Sequence, residues 1–591
     1  MAEVDLPAKA AAADAVEQPE QLPACDVVMK GGITSGVVYP GAVIALAQSF
    51  RFKSIGGTSA GAIAAGVCAA AEYGRQTGGT GGLVKLGAVT EDLSREDFLA
   101  GLFQATPRSR ALFDLMQSEI TSSGGRFMRA WRLARGALRS APWLLLPWLL
   151  VVAAVVVLVW AGFDALPAVL AWVLTVLFAA PLVVFLTALV AAASLALVFL
   201  RAYGSLEDSG WGICPGTHQE GYAQDEALTE WLDRHIQACA GQEPSQPLTF
   251  RQLAEAGIEL EMMTTDLSAA RPVRCPGDLR RYQFRPDDLE PYFPDHVIAH
   301  MVAKAERETE GRYAMPVDDL PVLVGVRLSL SFPVLLSTIP LYDTRSEHVD
   351  KPSVFSDGGI ASNFPIHFFD AWFPSRPTFG IDLAEHPEGA GEDVFVHSAD
   401  TPPARRWSAV AKLPDLFGQI VDTMQNWRDT MQAELPGYRE RVCQVRLKAN
   451  EGGLRLKMDA DLIGALMQRG YRAGEALAES LPVATPPTEP WSRHCLQRYT
   501  ILMRGIQRGL LKVSENAEDF LDDLGRGLEG VRDPRAHCGE DFRAWAAAAA
   551  NETGGLLACA RRWGATADRV VDFDCEPMPD PDVVMRVVPK V

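Results

Sequence analysis

Phe52-Lys53-Ser54-Ile55-Gly56-Gly57-Thr58-Ser59-Ala60-Gly61 runs from an apolar stretch into a G-x-S-x-G pentapeptide, and the alanine-rich helix former Ala60 to Ala71 follows directly. Such a string between a strand and a helix holds its serine on a sharp turn, because small flanking residues let the backbone bend tightly and leave the hydroxyl exposed. The helix start that follows points its amino end, with its partial positive charge, at the serine. The same string also occurs in plain glycine-rich turns, so its meaning rests on the rest of the chain.

Upstream, Cys25 to Met29 reads as a buried strand. It runs into Lys30-Gly31-Gly32-Ile33-Thr34-Ser35-Gly36, then Pro40-Gly41 and the helical run Ala42 to Gln48. A glycine loop before a helix presents backbone N–H groups to an anion. That anion is either a nucleotide phosphate or the oxyanion formed when a serine attacks an ester. Neither G-x-x-x-x-G-K-[ST] nor G-x-G-x-x-G is present, which argues against a nucleotide. A tight turn with no ligand is the other alternative.

Far downstream stands Asp357-Gly358-Gly359-Ile360-Ala361-Ser362-Asn363-Phe364-Pro365. A glycine loop, a G-x-S-x-G serine and a late D-G-G aspartate, in that order, resemble the patatin-like phospholipases over roughly Cys25 to Ala384, with one large interruption. Val326 to Pro340, with Ser329, Ser331, Pro333 and Pro340, resembles the small-residue helix that precedes the aspartate in that family. The resemblance implies a three-layer α/β/α hydrolase fold. It also implies a catalytic dyad in which Asp357 accepts the Ser59 proton directly and an acyl-enzyme forms on Ser59. Gly57, Thr58, Ala60 and Gly61 would form the nucleophile elbow, Asp357, Gly358 and Gly359 the D-G-G motif, and the main chain of Gly31, Gly32 and Ile33 the oxyanion hole. The chain departs from the family in its loop, where Ser35 replaces a basic residue and Ile33 a third glycine. His367, ten residues after Asp357, would give the order Ser, Asp, His of a full triad. Among Phe364, Phe368 and Phe369 it reads instead as a packed residue.

From Ala141 to Leu200 the only charged residue is Asp164. A bilayer span needs about 20 apolar residues, so an inserted transmembrane hairpin of two spans is expected, with a turn at Gly162 to Pro167. A buried core hairpin is the alternative. Ser59 and Asp357 flank the segment and must meet, which requires an even number of spans. Arg126, Arg129, Arg132, Arg135 and Arg139 before it and Arg201 after it place both flanks on the cytoplasmic side. The expectation is a multi-pass protein of a bacterial inner membrane, held in the bilayer through residues 141–200 and acting on membrane phospholipid or another lipid ester.

The net charge of −19 opposes nucleic-acid binding. Ten cysteines without C-x-x-C pairs suggest a reduced compartment and no zinc site. Without an acidic calcium loop either, no metal or cofactor is expected. The chain divides into a disordered tail (1–24), a first catalytic part (25–125), a basic helix with the hairpin (126–205), a second catalytic part (206–398) and a mainly helical C-terminal extension (399–591). In the second part Ile258 to Thr265, Tyr282 to Phe284 and Pro377 to Leu383 read as strands, and Asp266, just after the first of them, as a helix cap or turn residue. In the extension Leu413 to Leu435 and Leu462 to Leu481 have helical spacing, and Val442 to Leu447 and Leu454 to Met458 read as a hairpin about Asn450-Glu451-Gly452-Gly453. Trp407, Met424, Trp427 and Met431 read as core. Three functions fit: a lipid acyl hydrolase, a transacylase on the same site, or a membrane scaffold with an inactive hydrolase fold.

Overall fold

The computed structural model describes residues 5–15, 21–32, 34–78, 81–95, 97–121, 192–201, 203–204, 206–308, 311–345, 350–387, 391–397, 410–433, 435–448, 451–453, 455–514, 552–560 and 562, with isolated positions at 153, 157, 187, 189 and 190. Strand β1 (Ala24–Met29) is apolar on both faces: Cys25, Val27 and Met29 enter the main core, and Val28 enters a smaller one with Phe364, Ile366 and Val442. A strand of that composition needs cover on both sides and parallel neighbours. It pairs in parallel with β2 (Arg51–Gly57), and β2 pairs in parallel with β3 (Glu259–Asp266). β4 (Ser353–Asp357) runs antiparallel to β3. On the other side of β1 lie β5 (Thr378–Glu385) and then β6 (Val442–Leu447), both parallel. Among the described residues the sheet has eleven strands, and the fold is mixed α/β.

Helix α1 (Leu6–Asp14) buries Leu6, Ala10 and Ala13, so this part of the expected tail is ordered. Its Asp14 carboxylate accepts the amides of Leu83 and Val84 at 2.9 and 2.7 Å, capping a later helix through its side chain. α2 (Tyr39–Ala47) follows the glycine loop and α3 (Ala60–Thr77) follows the serine. With α4 (Leu83–Leu93), α5 (Leu228–Ala240) and α6 (Val322–Leu330) they build the main core.

The C-terminal region belongs to the same sheet. The expected hairpin does not form, because β6 is an interior strand between β5 and Val394–Val396, and residues 455–459 have no regular structure. The Val442–Leu447 run is apolar enough for such a place. Helices α7 (Leu413–Ala433), α8 (Ala460–Ser480) and α9 (Glu489–Ser514) complete the region. α9 is pinned by Arg498, which donates to the Asp370 carboxylate at 2.8 Å, a carboxylate that Arg441 also binds at 2.6 Å. Met424, Trp427 and Met431 are exposed rather than core, and Trp407 lies outside the described residues.

The expected transmembrane hairpin is not supported, since among the described residues no helix is long and apolar enough to cross a membrane. Most of 141–200, with Asp164 and the arginines at 126–139, lies outside the described residues. Where the segment is described, over 192–200, Val198 is buried in the main core and Leu195 packs against it. Phe199 and Leu200 in the same stretch are exposed, so only part of its apolar surface packs against protein. The multi-pass inner-membrane placement, with the catalytic part on the cytoplasmic side, rested on that hairpin and falls with it.

Candidate active site

The strand order β6-β5-β1-β2-β3 reverses direction between β1 and β5, and in open α/β sheets ligands gather beyond the carboxyl ends of the strands at such a point. The glycine loop leaves β1 there and Ser59 leaves β2. Ser59 has φ 54° and ψ −128°, a conformation that costs energy for any residue with a Cβ. The turn closes only with glycines beside it. A Cβ on Gly57 would lie 2.3 Å from the Gly61 carbonyl oxygen, and one on Gly61 would lie 2.2 Å from that of Met29. The Ser59 amide donates to Ser329 Oγ at 3.2 Å, and Ser329 donates onward to the Met263 carbonyl at 2.6 Å, so α6 props the elbow from below.

Sheet register brings the aspartate to the serine. Gly57, the last residue of β2, is level with Met262 across the parallel pair, and two residues further along β3 Thr264 lies opposite Asp357, so the aspartate stands just beyond the end of β2 where the Ser59 turn begins. Gly358 lets the chain turn away at once, because a Cβ there would meet the Met263 carbonyl oxygen at 1.9 Å. Asp357 is 3 % exposed, as is Ser59. Its Oδ1 accepts the Gly359 amide at 2.6 Å, while Oδ2 is buried without a well-formed hydrogen bond among the described residues. Burial pushes its carboxyl up to about 7, partly offset by the adjacent Ser59 hydroxyl and the Gly359 amide. His367 is not among the groups that act on it. That ring sits in the turn Ile366–Phe369, edge-on to Phe368.

The glycine loop is arranged differently from the sequence expectation. The Gly31 amide donates to the Asn363 carbonyl at 2.7 Å and is not free for an oxyanion. The Gly32 amide makes no hydrogen bond to the described residues, and its carbonyl accepts the Ser59 hydroxyl at 2.9 Å. Ile33 lies outside the described residues. Ser35 is buried against Gly32. Lys30 points elsewhere, into an ion pair with Asp382 at 2.7 Å. The loop is braced from the C-terminal region, where the Gly453 carbonyl accepts the Thr34 hydroxyl at 3.1 Å. Asp266 is the last residue of β3, and its Oδ1 accepts the Ala269 amide of the turn that follows at 3.0 Å.

Next to the elbow, on the side of Ala60, opens an apolar pocket of about 80 Å³. Gly36, Ala60, Val43, Leu86, Trp231 and Phe332 are among its lining residues. Trp231 is held by its Nε1–H, which donates to Asp92 at 3.2 Å. Among the described residues no group of His, Cys, Asp and Glu is placed to hold a metal ion. Sequence reasoning missed two residues of α7, Asn426 and Asp429, which bind the segment after the D-G-G motif. Asn426 Oδ1 accepts the Asn363 side-chain amide at 3.1 Å. Asp429 accepts the Asn363 and Phe364 main-chain amides at 2.6 and 2.8 Å.

No family model matches the chain. Over 567 residues it is 34% identical to a protein of Rhizobium meliloti (strain 1021) named RpoH suppressor, a match that covers 81% of this chain and 86% of that protein. The chain belongs to the RpoH suppressor family. A shorter stretch of 178 residues, 29% of this chain, is 28% identical to half of the uncharacterized protein YqhO of Bacillus subtilis (strain 168). The crystal structure of VipD from Legionella pneumophila aligns over 90% of this chain and 85% of its own, at 12% identity and a TM-score of 0.28. A likeness that slight carries no argument about fold or chemistry. What this member of the RpoH suppressor family can do therefore follows from its own Ser59 and Asp357.

Proposed function

We propose that the chain is a serine acyl-ester hydrolase of patatin-like type, acting on carboxyl esters with a long apolar acyl chain such as phospholipids or related lipids. One observation carries the reading: a serine in a strained elbow adjacent to a buried aspartate whose Oδ2 has no hydrogen-bond partner among the described residues. Ser59 attacks the ester carbonyl while its proton passes to Asp357 Oδ2, and Asp357 hands that proton to the departing alcohol oxygen, which leaves an acyl-Ser59 ester and an ionised Asp357. Asp357 then takes a proton from water as that water attacks the ester, and returns it to Ser59 Oγ as the acyl–oxygen bond breaks and the acid leaves. A carboxyl near 7 suits this work, since a general base is most effective with its pKa close to the working pH. The pocket next to the elbow supports the choice of substrate, because its apolar walls match an acyl chain and offer little to a polar one.

The test is fatty-acid release from phospholipid–detergent mixed micelles and from medium-chain p-nitrophenyl esters. Ser59→Ala and Asp357→Asn should each lower kcat by at least about 1,000-fold. Asp357 acts as a base only when ionised, so kcat/KM should fall as pH drops through about 7 and level off above it. Equal turnover by parent and both variants would overturn the assignment, and so would a flat profile across that range.

A further inference from the structure

Helix α7 carries an apolar stripe of Leu413, Leu416, Ile420, Met424, Trp427 and Met431 on its exposed side, while Asn426 and Asp429 lie on the opposite side. Asp429 is buried, and a carboxylate in that position costs energy unless donors converge on it. Three do. Ser362 Oγ donates to its Oδ1 at 3.0 Å, and the Asn363 and Phe364 amides both donate to Oδ2. Burial raises its carboxyl against the pull of the Phe364 amide, the Ser362 hydroxyl and the Asn363 amide.

The peptide unit joining Asn363 to Phe364 is the link that matters. Its N–H end is gripped by Asp429, and its carbonyl accepts both the Gly31 amide at 2.7 Å and the Thr58 hydroxyl at 2.9 Å. A peptide unit is planar, so orienting one end orients the other. The glycine loop and the residue before the nucleophile are therefore tied to one carbonyl, whose direction a carboxylate on α7 sets. We propose that Asp429 is a positioning residue for the Ser59 site, acting through the Asn363–Phe364 peptide plane. It rests on the hydrolase reading above.

The experiment compares the full chain with its Asp429→Ala, Asp429→Asn and Asp429→Glu variants. It measures kcat and KM on a medium-chain p-nitrophenyl ester and the rate at which a fluorophosphonate probe labels Ser59. With alanine the plane is released, and kcat and the labelling rate should fall about 100-fold, the scale of a misplaced catalytic geometry. KM should stay within about twofold, since no residue of α7 lines the acyl pocket. Asparagine can accept both amides through Oδ1 and donate to Ser362 Oγ through Nδ2, so it should keep kcat within about threefold of the parent. Glutamate keeps the charge but is one methylene too long, and should cost roughly tenfold in kcat; it also serves if the alanine variant does not fold. Parent-like kcat in the alanine or glutamate variant would overturn the proposal, as would an asparagine variant no better than alanine. A parent chain that neither turns over any ester nor takes the probe would instead overturn the hydrolase reading beneath it.

Discussion

Helices α7 and α8 are both amphipathic by spacing, yet they turn opposite faces inward. α8 buries Ile463, Leu466, Met467, Tyr471 and Leu477. It lies so close to α2 that a Cβ on Gly470 would stand 1.9 Å from the Val38 carbonyl oxygen, and one on Gly474 would stand 2.4 Å from that of Ala42. α7 leaves its apolar stripe in the open and uses its polar side to bind main-chain amides of the segment after Asp357. Periodicity establishes that a helix has two faces. Which one faces inward depends on what waits there, an apolar helix in one case and unpaired N–H groups in the other.

The largest effect that separates the two helices should come from Gly470→Val. Its side chain cannot fit against Val38 without pushing the helices apart, at a cost of about 3 kcal/mol or more in chemical denaturation. Because Val38 closes the glycine-loop turn, ester hydrolysis should fall with it. A stable, active variant would show that the close approach is dispensable. The same truncation on each helix gives the sharper comparison. Met467 on α8 is 2 % exposed, and Met467→Ala should lose roughly 2–5 kcal/mol. Met424 on α7 is 72 % exposed, and Met424→Ala should change stability by no more than about 0.5 kcal/mol. Equal losses at the two positions would break the contrast and mean that the outer face of α7 is covered in solution.

The features legible in the sequence were those with a local backbone cause. Gly57 and Gly61 announce a turn around Ser59 because nothing larger fits there, and Gly358 does the same for Asp357. Strands at Glu259–Asp266, Tyr282–Phe284 and Thr378–Glu385 stand close to where their apolar runs put them. Asp429 was not legible, since one aspartate on a helix looks like any solvated charge until its distant partners are known. Met424 and Trp427 were misread for the same reason, their outward direction being set by what lies on the other side of α7. The Gly31 amide carried no sign that Asn363 would occupy it. Hydropathy over 141–200 counted apolar residues without telling their neighbours apart: Val198 lies in the core, while Phe199 and Leu200 beside it are exposed.

The Asn363 carbonyl also governs when the site can exist during synthesis. Thr58 reaches it across 305 residues, and Thr34 reaches Gly453 across 419. Contacts this remote in sequence form late, because the intervening chain must first be made and its loop entropy lost. At about 5–20 residues per second, the interval between Thr34 and Gly453 in translation is roughly 20–80 s. Until Asp357 is made a nascent chain has its serine without its base, and until Gly453 is made it lacks the braced loop, so the chemistry stays off until nearly all of the sheet has been synthesised.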